Sequence, residues 1–173
     1  MKQGDLQNIF SETFTTYSDA IFRFCMVKVS NVELAEDMTQ EVFMRYWQYL
    51  RAGQEMTNTR ALLYTIANNQ AKDWYKKKKP VALDDRLAVG QVPVEPAAGP
   101  DTLAAYQEVL SAMADMAEGD KEVLLLKYVE GMPPQEIAEI IGETANVVSV
   151  RINRATKRLQ QRLHITSWKI HNQ

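Results

Sequence analysis

Hydrophobic positions recur along this chain at helical spacing, and nowhere do they alternate as they would on a strand. Phe10, Phe14, Tyr17, Ile21 and Phe24 fall at i, i+4, i+7, i+11 and i+14, one side of a helix running to about Val29. Ser30-Asn31-Val32-Glu33 has the S-x-x-E form of a capping box, which predicts a second helix starting there with Ser30 as its cap. Leu34, Ala35, Met38, Val42, Tyr46 and Tyr49 give that helix a buried side. Glu36, Asp37, Gln40, Glu41, Met44, Arg45 and Gln48 crowd its remaining surface. After the polar loop GQEMTN (53–58), a third helix is expected from about Thr59 to Lys77. Leu63, Ile66, Ala67, Ala71 and Trp74 point inward on it, while Thr65, Asn68, Lys72, Tyr75, Lys76 and Lys79 share its other face. Three helices of this length bury one small core, so 5–79 reads as a separate all-α domain.

The stretch 80–102 breaks every periodicity and is rich in proline and glycine, the composition of a linker. It would span roughly 70 Å fully extended, but about 26 Å on average as a random coil. Helical pattern resumes in 103–165 with Leu103, Tyr106, Leu110 and Met113. Asp120 is placed to cap a further helix carrying Val123, Leu124, Leu126 and Val129, ended by Gly131. The stretch 133–163 then reads as two helices joined by a tight turn. Ile137, Ala138, Ile140 and Ile141 form an apolar face, Gly142 supplies the turn, and Thr144 caps the next helix. In that helix Val148, Ile152, Ala155, Leu159 and Leu163 make one buried stripe. Ser149, Val150, Asn153, Arg154 and Lys157 face the opposite way, with Arg151 and Arg158 flanking. The predicted fold is all-α: two small helical domains on a flexible linker, the second a helix–turn–helix.

Charge sharpens this picture. The whole chain of 173 residues carries a formal charge of −2, which is unusual for a nucleic-acid binder, but the sign is unevenly spread. Basic side chains gather at 72–79 and on the last helix, where no acidic residue follows Glu143. That helix is suited to a major groove and its flanking phosphates. A solvated basic helix that binds nothing is the plain alternative, and the preceding helix and turn weigh against it. With positive charge so local, the chain should hold free DNA poorly and depend on a partner to keep it there. Cys25 is the single cysteine and sits in an apolar helical pattern, so it reads as core in a reducing compartment. No apolar run is long enough for a membrane span and the N-terminus lacks a signal-peptide core, so a cytoplasmic protein without membrane insertion is expected. Enzyme chemistry has little to stand on. Both histidines lie in the last ten residues, the seven glycines are isolated, and no metal-ligand spacing appears. Neither a cofactor nor a metal is expected.

Four segments in this order carry a resemblance: AEDMTQEVFMRYW (35–47), TRALLYTIANN (59–69), EVLLLKYVEGMPPQEIAEIIG (122–142) and VRINRATKRL (150–159). Together they resemble the extracytoplasmic-function sigma factors of bacterial RNA polymerase. The resemblance covers nearly the whole chain outside the linker. It implies a transcription initiation factor whose first domain docks on the clamp helices of the largest subunit of core polymerase. The docking helix corresponds to 35–47, with Asp37, Gln40, Glu41, Met44 and Arg45 as contacts. It implies recognition and opening of the −10 element by 54–60, including Arg60, and by Asn68, Asn69, Lys72, Tyr75 and Lys76. A polar loop can surround an extruded base while an aromatic ring stacks on the strand. Many relatives have Trp where Leu62 stands and Arg where Asn68 stands, so Asn68 lacks a phosphate-reaching charge. The second domain would read the −35 element through Ser149, Val150, Asn153, Arg154 and Lys157, with Arg151 and Arg158 on phosphates. An anti-sigma factor is the further partner the family implies. The competing readings are a free-standing helix–turn–helix regulator, which would usually dimerise, and an adaptor in a sigma/anti-sigma pathway.

Overall fold

The computed structural model describes residues 3–54, 57–77, 112–113 and 116–163, and no strand occurs among them. The linker 80–102, the pattern from Leu103 to Leu110 and the tail beyond Leu163 lie outside the described residues. Three long helices come first: α1 (Gln3–Val29), α2 (Val32–Arg51) and α3 (Thr59–Lys77). The second half holds α4 (Glu118–Leu124), a π-helical stretch (Leu125–Val129), α5 (Pro134–Ile141) and α6 (Ala145–Arg162).

The junction of α1 and α2 differs from expectation by one residue. Ser30 adopts φ 50° and its N–H donates to the Met26 carbonyl at 2.8 Å. A residue spent on that left-handed reversal cannot also take the extended backbone of an N-cap. Asn31 does so instead, and its Oδ1 accepts from Leu34 N–H at 2.8 Å. The first-half core is formed by Ile21, Phe24 and Cys25 of α1, Met38, Val42 and Tyr46 of α2, and Leu63, Tyr64 and Ala67 of α3, all buried. The large apolar side chains among these, such as Ile21, Phe24 and Leu63, each contribute on the order of 1.5–3 kcal/mol by leaving water. Phe24 meets Tyr64 edge-on at 5.2 Å, and Thr13 and Tyr46 hydroxyls share a buried hydrogen bond of 3.1 Å. Tyr49, expected inside, is exposed, while Phe43 and Leu50 are buried. The contact line on α2 follows the i, i+4 series Met38, Val42, Tyr46, Leu50 and has turned away from Tyr49 by the last turn.

Two expectations for 118–131 are also corrected. The helix starts at Glu118 with Ala117 as its cap, so Asp120 lies in the first turn and accepts from Arg158 Nη1 at 2.5 Å. At Leu125 the ladder widens, and Glu130 N–H reaches the Leu125 carbonyl at 3.1 Å. A wider turn rotates the following side chains, which is why Val129 is exposed rather than inward. The helix–turn–helix forms as expected. Pro134 opens α5, Gly142 closes it at φ 78°, and Thr144 Oγ1 accepts from Val147 N–H at 3.3 Å to start α6. Val148, Ile152, Ala155 and Leu163 are buried, and Leu159 packs partly against the core.

The two halves pack directly on each other, α3 against α5 and α1 against α4. Lys28 Nζ lies 2.9 Å from Glu122 Oε2, with both side chains buried, and 5.6 Å over the Phe24 ring.

Candidate nucleic-acid and partner interfaces

Three surfaces carry the residues that the sequence singles out. The first is the outer side of α2. Asp37, Gln40, Met44 and Arg45 are exposed and Glu41 is half-buried, because the helix turns Ala35, Met38, Val42 and Tyr46 into the core. Arg45 Nε donates to Glu41 at 2.7 Å, four residues back along the helix. The same side of α2 borders an open apolar groove of about 520 Å³ lined by Gln7, Phe10, Phe14, Phe43 and Trp47 as well as Gln40 and Met44. Phe14 is 45 % exposed and Met44 58 %. Phe14 was expected inward. Its ring instead lies 4.8 Å from that of Phe43, across the rim of the groove.

The second surface is the face of α3 bearing Arg60, Asn68, Asn69, Lys72, Tyr75 and Lys76. The structure divides these six. Asn69 and Lys76 are exposed, and Lys76 lies 3.9 Å from Asp73. Tyr75 donates its hydroxyl to the Lys28 carbonyl while the residue stays 44 % exposed; burial of the hydroxyl, with a smaller push from Glu118, raises it to about 12. The other three are engaged by the second half of the chain. Arg60 grips Glu136 of α5 through Nε at 2.9 Å and Nη2 at 2.5 Å, and reaches the Glu130 carbonyl at 3.3 Å. Asn58 adds a bond to Glu136 at 3.2 Å. The Arg60 guanidinium bonded to it holds the Glu136 carboxyl below its usual range against the opposing pull of burial, and Asn58 helps. Asn68 was expected on an outer face. It is wholly buried and donates to the Ile140 carbonyl at 3.2 Å, because α5 lies over that face. Lys72 Nζ donates to the Ile141 carbonyl at 3.3 Å.

The third surface is α6. Val150, Asn153, Arg154 and Lys157 are exposed and Ser149 is half-buried, its hydroxyl turned back to the Ala145 carbonyl at 2.8 Å. The flanking arginines are held within the chain: Arg151 lies 3.7 Å from Glu143, and Arg158 is bound to Asp120. Arginine and asparagine forks beside a valine methyl match the donor, acceptor and methyl pattern of major-groove edges. Glu136, Glu122 and Lys28 escaped the sequence reading. No periodicity flags them, since each matters only through a partner 70 or more residues away.

Comparison with known proteins settles the relationship. Residues 13–81 match the family model for Sigma-70 region 2, and residues 106–159 match that for Sigma-70, region 4. The chain belongs to the extracytoplasmic-function sigma factors. It is 26 % identical to the ECF RNA polymerase sigma factor SigW of Bacillus subtilis, over 94 % of this chain and 92 % of that one. It is 28 % identical to SigM of the same organism, over 86 % and 91 %. In fold it is similar to the sigma factor RpoE of Bartonella quintana, solved in complex with the anti-sigma factor NepR, with a TM-score of 0.71 at 22 % identity over 91 % of this chain and 98 % of that one. CnrH, solved with the cytosolic domain of CnrY, aligns with a TM-score of 0.66 at 23 % identity over 93 % and 91 %. This sigma factor is therefore a transcription initiation factor with a DNA-binding region 4. Among its described residues no helix is long and apolar enough to cross a membrane.

Proposed function

We infer that this sigma factor binds core RNA polymerase through the outer side of α2 and brings it to promoters by reading two elements. Residues 5–79 act as the core-binding and −10 unit, 80–102 as the linker, and 103–165 as the −35 unit. Asp37, Gln40, Glu41, Met44 and Arg45 meet the clamp helices of the largest subunit, and the neighbouring groove supplies the apolar part of that contact. Arg60, Asn68, Asn69, Lys72, Tyr75 and Lys76 hold the opened −10 strand. Ser149, Val150, Asn153, Arg154 and Lys157 read the −35 duplex, with Arg151 and Arg158 on its phosphates.

The observation that carries this reading is the exposed, basic outer face of α6, set by the Gly142 turn against a helix that anchors it. The protein contributes binding and strand capture, while the bond-forming chemistry belongs to the polymerase, and it works in the cytoplasm where polymerase and chromosome meet. The two solved structures described above, RpoE with the anti-sigma factor NepR and CnrH with the cytosolic domain of CnrY, each contain a second protein, which supports an anti-sigma partner here.

Transcription in vitro from genomic fragments by core polymerase, with and without this protein, tests the reading. Defined start sites that appear only on its addition are expected, and their alignment would yield both promoter elements. Core binding without transcripts would favour an adaptor. Neither core binding nor transcripts, with tight salt-sensitive binding of free duplex, would favour a free-standing regulator.

A further inference from the structure

Three of the six residues assigned to the −10 strand are engaged by the second half of the chain, whereas most of those assigned to the −35 bases are exposed. On α6, Val150, Asn153, Arg154 and Lys157 face solvent. On α3, Arg60, Asn68 and Lys72 already have partners, and every one of those partners is an oxygen contributed by α5 or the segment before it. Glu136 offers Arg60 a planar, two-oxygen anion, the geometry in which arginine also takes a phosphate. Ile140 and Ile141 end α5, where carbonyls lack intrahelical partners and carry the negative end of the helix dipole. They meet the Asn68 amide and the Lys72 ammonium at 3.2 and 3.3 Å. From its first turn to its last, α5 thus presents to α3 what a nucleic-acid backbone would present: an anion, Glu136, for the guanidinium and, at its C-terminal end, acceptor oxygens for the amide and the amine.

We propose that the α3–α5 contact is a self-masking latch, in which Glu136 and the last carbonyls of α5 occupy the −10 strand site of the free protein. The inference rests on the assignment of α3 to the −10 strand. A closed chain can present α6 to duplex DNA but cannot hold a single strand along α3. The α2 residues assigned to core polymerase stay outward in the closed form, so docking on core precedes opening and does not require it. Opening exchanges Glu136 for the strand, and the apparent affinity for the strand is lowered by the fraction of chains that are shut.

The test uses the full chain with and without Glu136→Gln, which keeps size and hydrogen bonding but removes the charge. A fluorescent random-sequence single-stranded 20-mer is titrated without core polymerase. In parallel, distance is followed between probes at Thr15→Cys and Gln161→Cys, both exposed positions outside the assigned surfaces. Glu136→Gln is expected to lengthen the distance and raise single-strand affinity about tenfold, as unmasking of a mostly shut population requires. The exchange Arg60→Glu with Glu136→Arg should restore the short distance but not strand binding, since Arg60 is then missing from the site. Unchanged affinity and distance in Glu136→Gln, with the variant folded by circular dichroism, would overturn the latch. Core-dependent transcription by the wild-type chain is measured alongside. If it is present while the latch fails, the functional reading stands; if it is absent, the reading itself has failed.

Discussion

Cys25 shows how one buried side chain ties stability to pH. Burial pushes its thiol from 9.0 up to about 11, with Thr39 and Lys28 pulling weakly the other way. A thiol that ionises less readily in the folded chain stabilises the fold below its unfolded value, and that contribution fades as pH rises toward the folded one. Unfolding by urea should therefore lose about 2 kcal/mol between pH 9 and pH 11 from this group. Cys25→Ala should show a shallower decline over the same window, and an equal slope in both chains would refute the assignment. Thiol reagents at pH 8 should label Cys25 only as the chain unfolds. On α6, Arg154 differs from its neighbours in a way that predicts function. Arg151 and Arg158 are steadied by Glu143 and Asp120, as suits phosphate contacts, whereas Arg154 stands exposed on the reading face. Arg154→Ala should cost about 1–3 kcal/mol of promoter affinity at one base pair and relax preference there. Arg158→Ala should weaken all promoters alike. Holoenzyme binding to promoters bearing single-base changes distinguishes the two.

Among the elements, the turn between α5 and α6 has the most to lose from a small change. Gly142 sits at φ 78°, yet a Cβ there would meet nothing within 4 Å. Any penalty at this site is thus backbone strain alone. Gly142→Ala should lower stability by about 1–2 kcal/mol, and Gly142→Asn by less, as measured by denaturant unfolding; equal, negligible losses would mean the turn tolerates another geometry. This turn was legible in the sequence because its signals are local: an apolar face, a glycine, a threonine, then another apolar face. The same holds for α3, whose bounds and inward residues Leu63, Ile66, Ala67 and Ala71 follow from periodicity. Failures occur where a non-local or competing local demand wins. Ser30 has the right spacing for a cap but is consumed by the chain reversal, and the π-helical stretch turns Val129 outward. Phe14 fits the stripe of α1, yet it lies on the rim of a groove that α2 leaves uncovered. Nor could Asn68 be read as buried, since the burying element, α5, lies about seventy residues further on. Of the candidate surfaces, the faces of α2 and α6 were legible from pattern, whereas the masking of α3 depends on how the two halves meet.

At the scale of the molecule, the contact between the halves mixes apolar surface with ions, and one of these pairs fixes where the halves meet. Lys28 and Glu122 face each other at 2.9 Å with only 8 % and 7 % of their side chains exposed. Closing the two halves strips water from both charges, and the attraction between them roughly repays that cost. Opening returns both to water, so the pair does little to hold the chain shut while it still fixes where the halves meet. Apolar residues of similar volume would behave differently, since separating them exposes oily surface with no gain in hydration. Lys28→Met with Glu122→Leu should therefore stabilise the closed form by about 1–4 kcal/mol. Removing only one partner, as in Glu122→Leu, should destabilise it by about 3–5 kcal/mol through the stranded ammonium. The double variant should unfold at higher urea yet bind a single strand more weakly and start transcription less efficiently. Adding Glu136→Gln should restore part of that loss. A double variant that is more stable and also fully active would show that parting of the halves does not limit initiation.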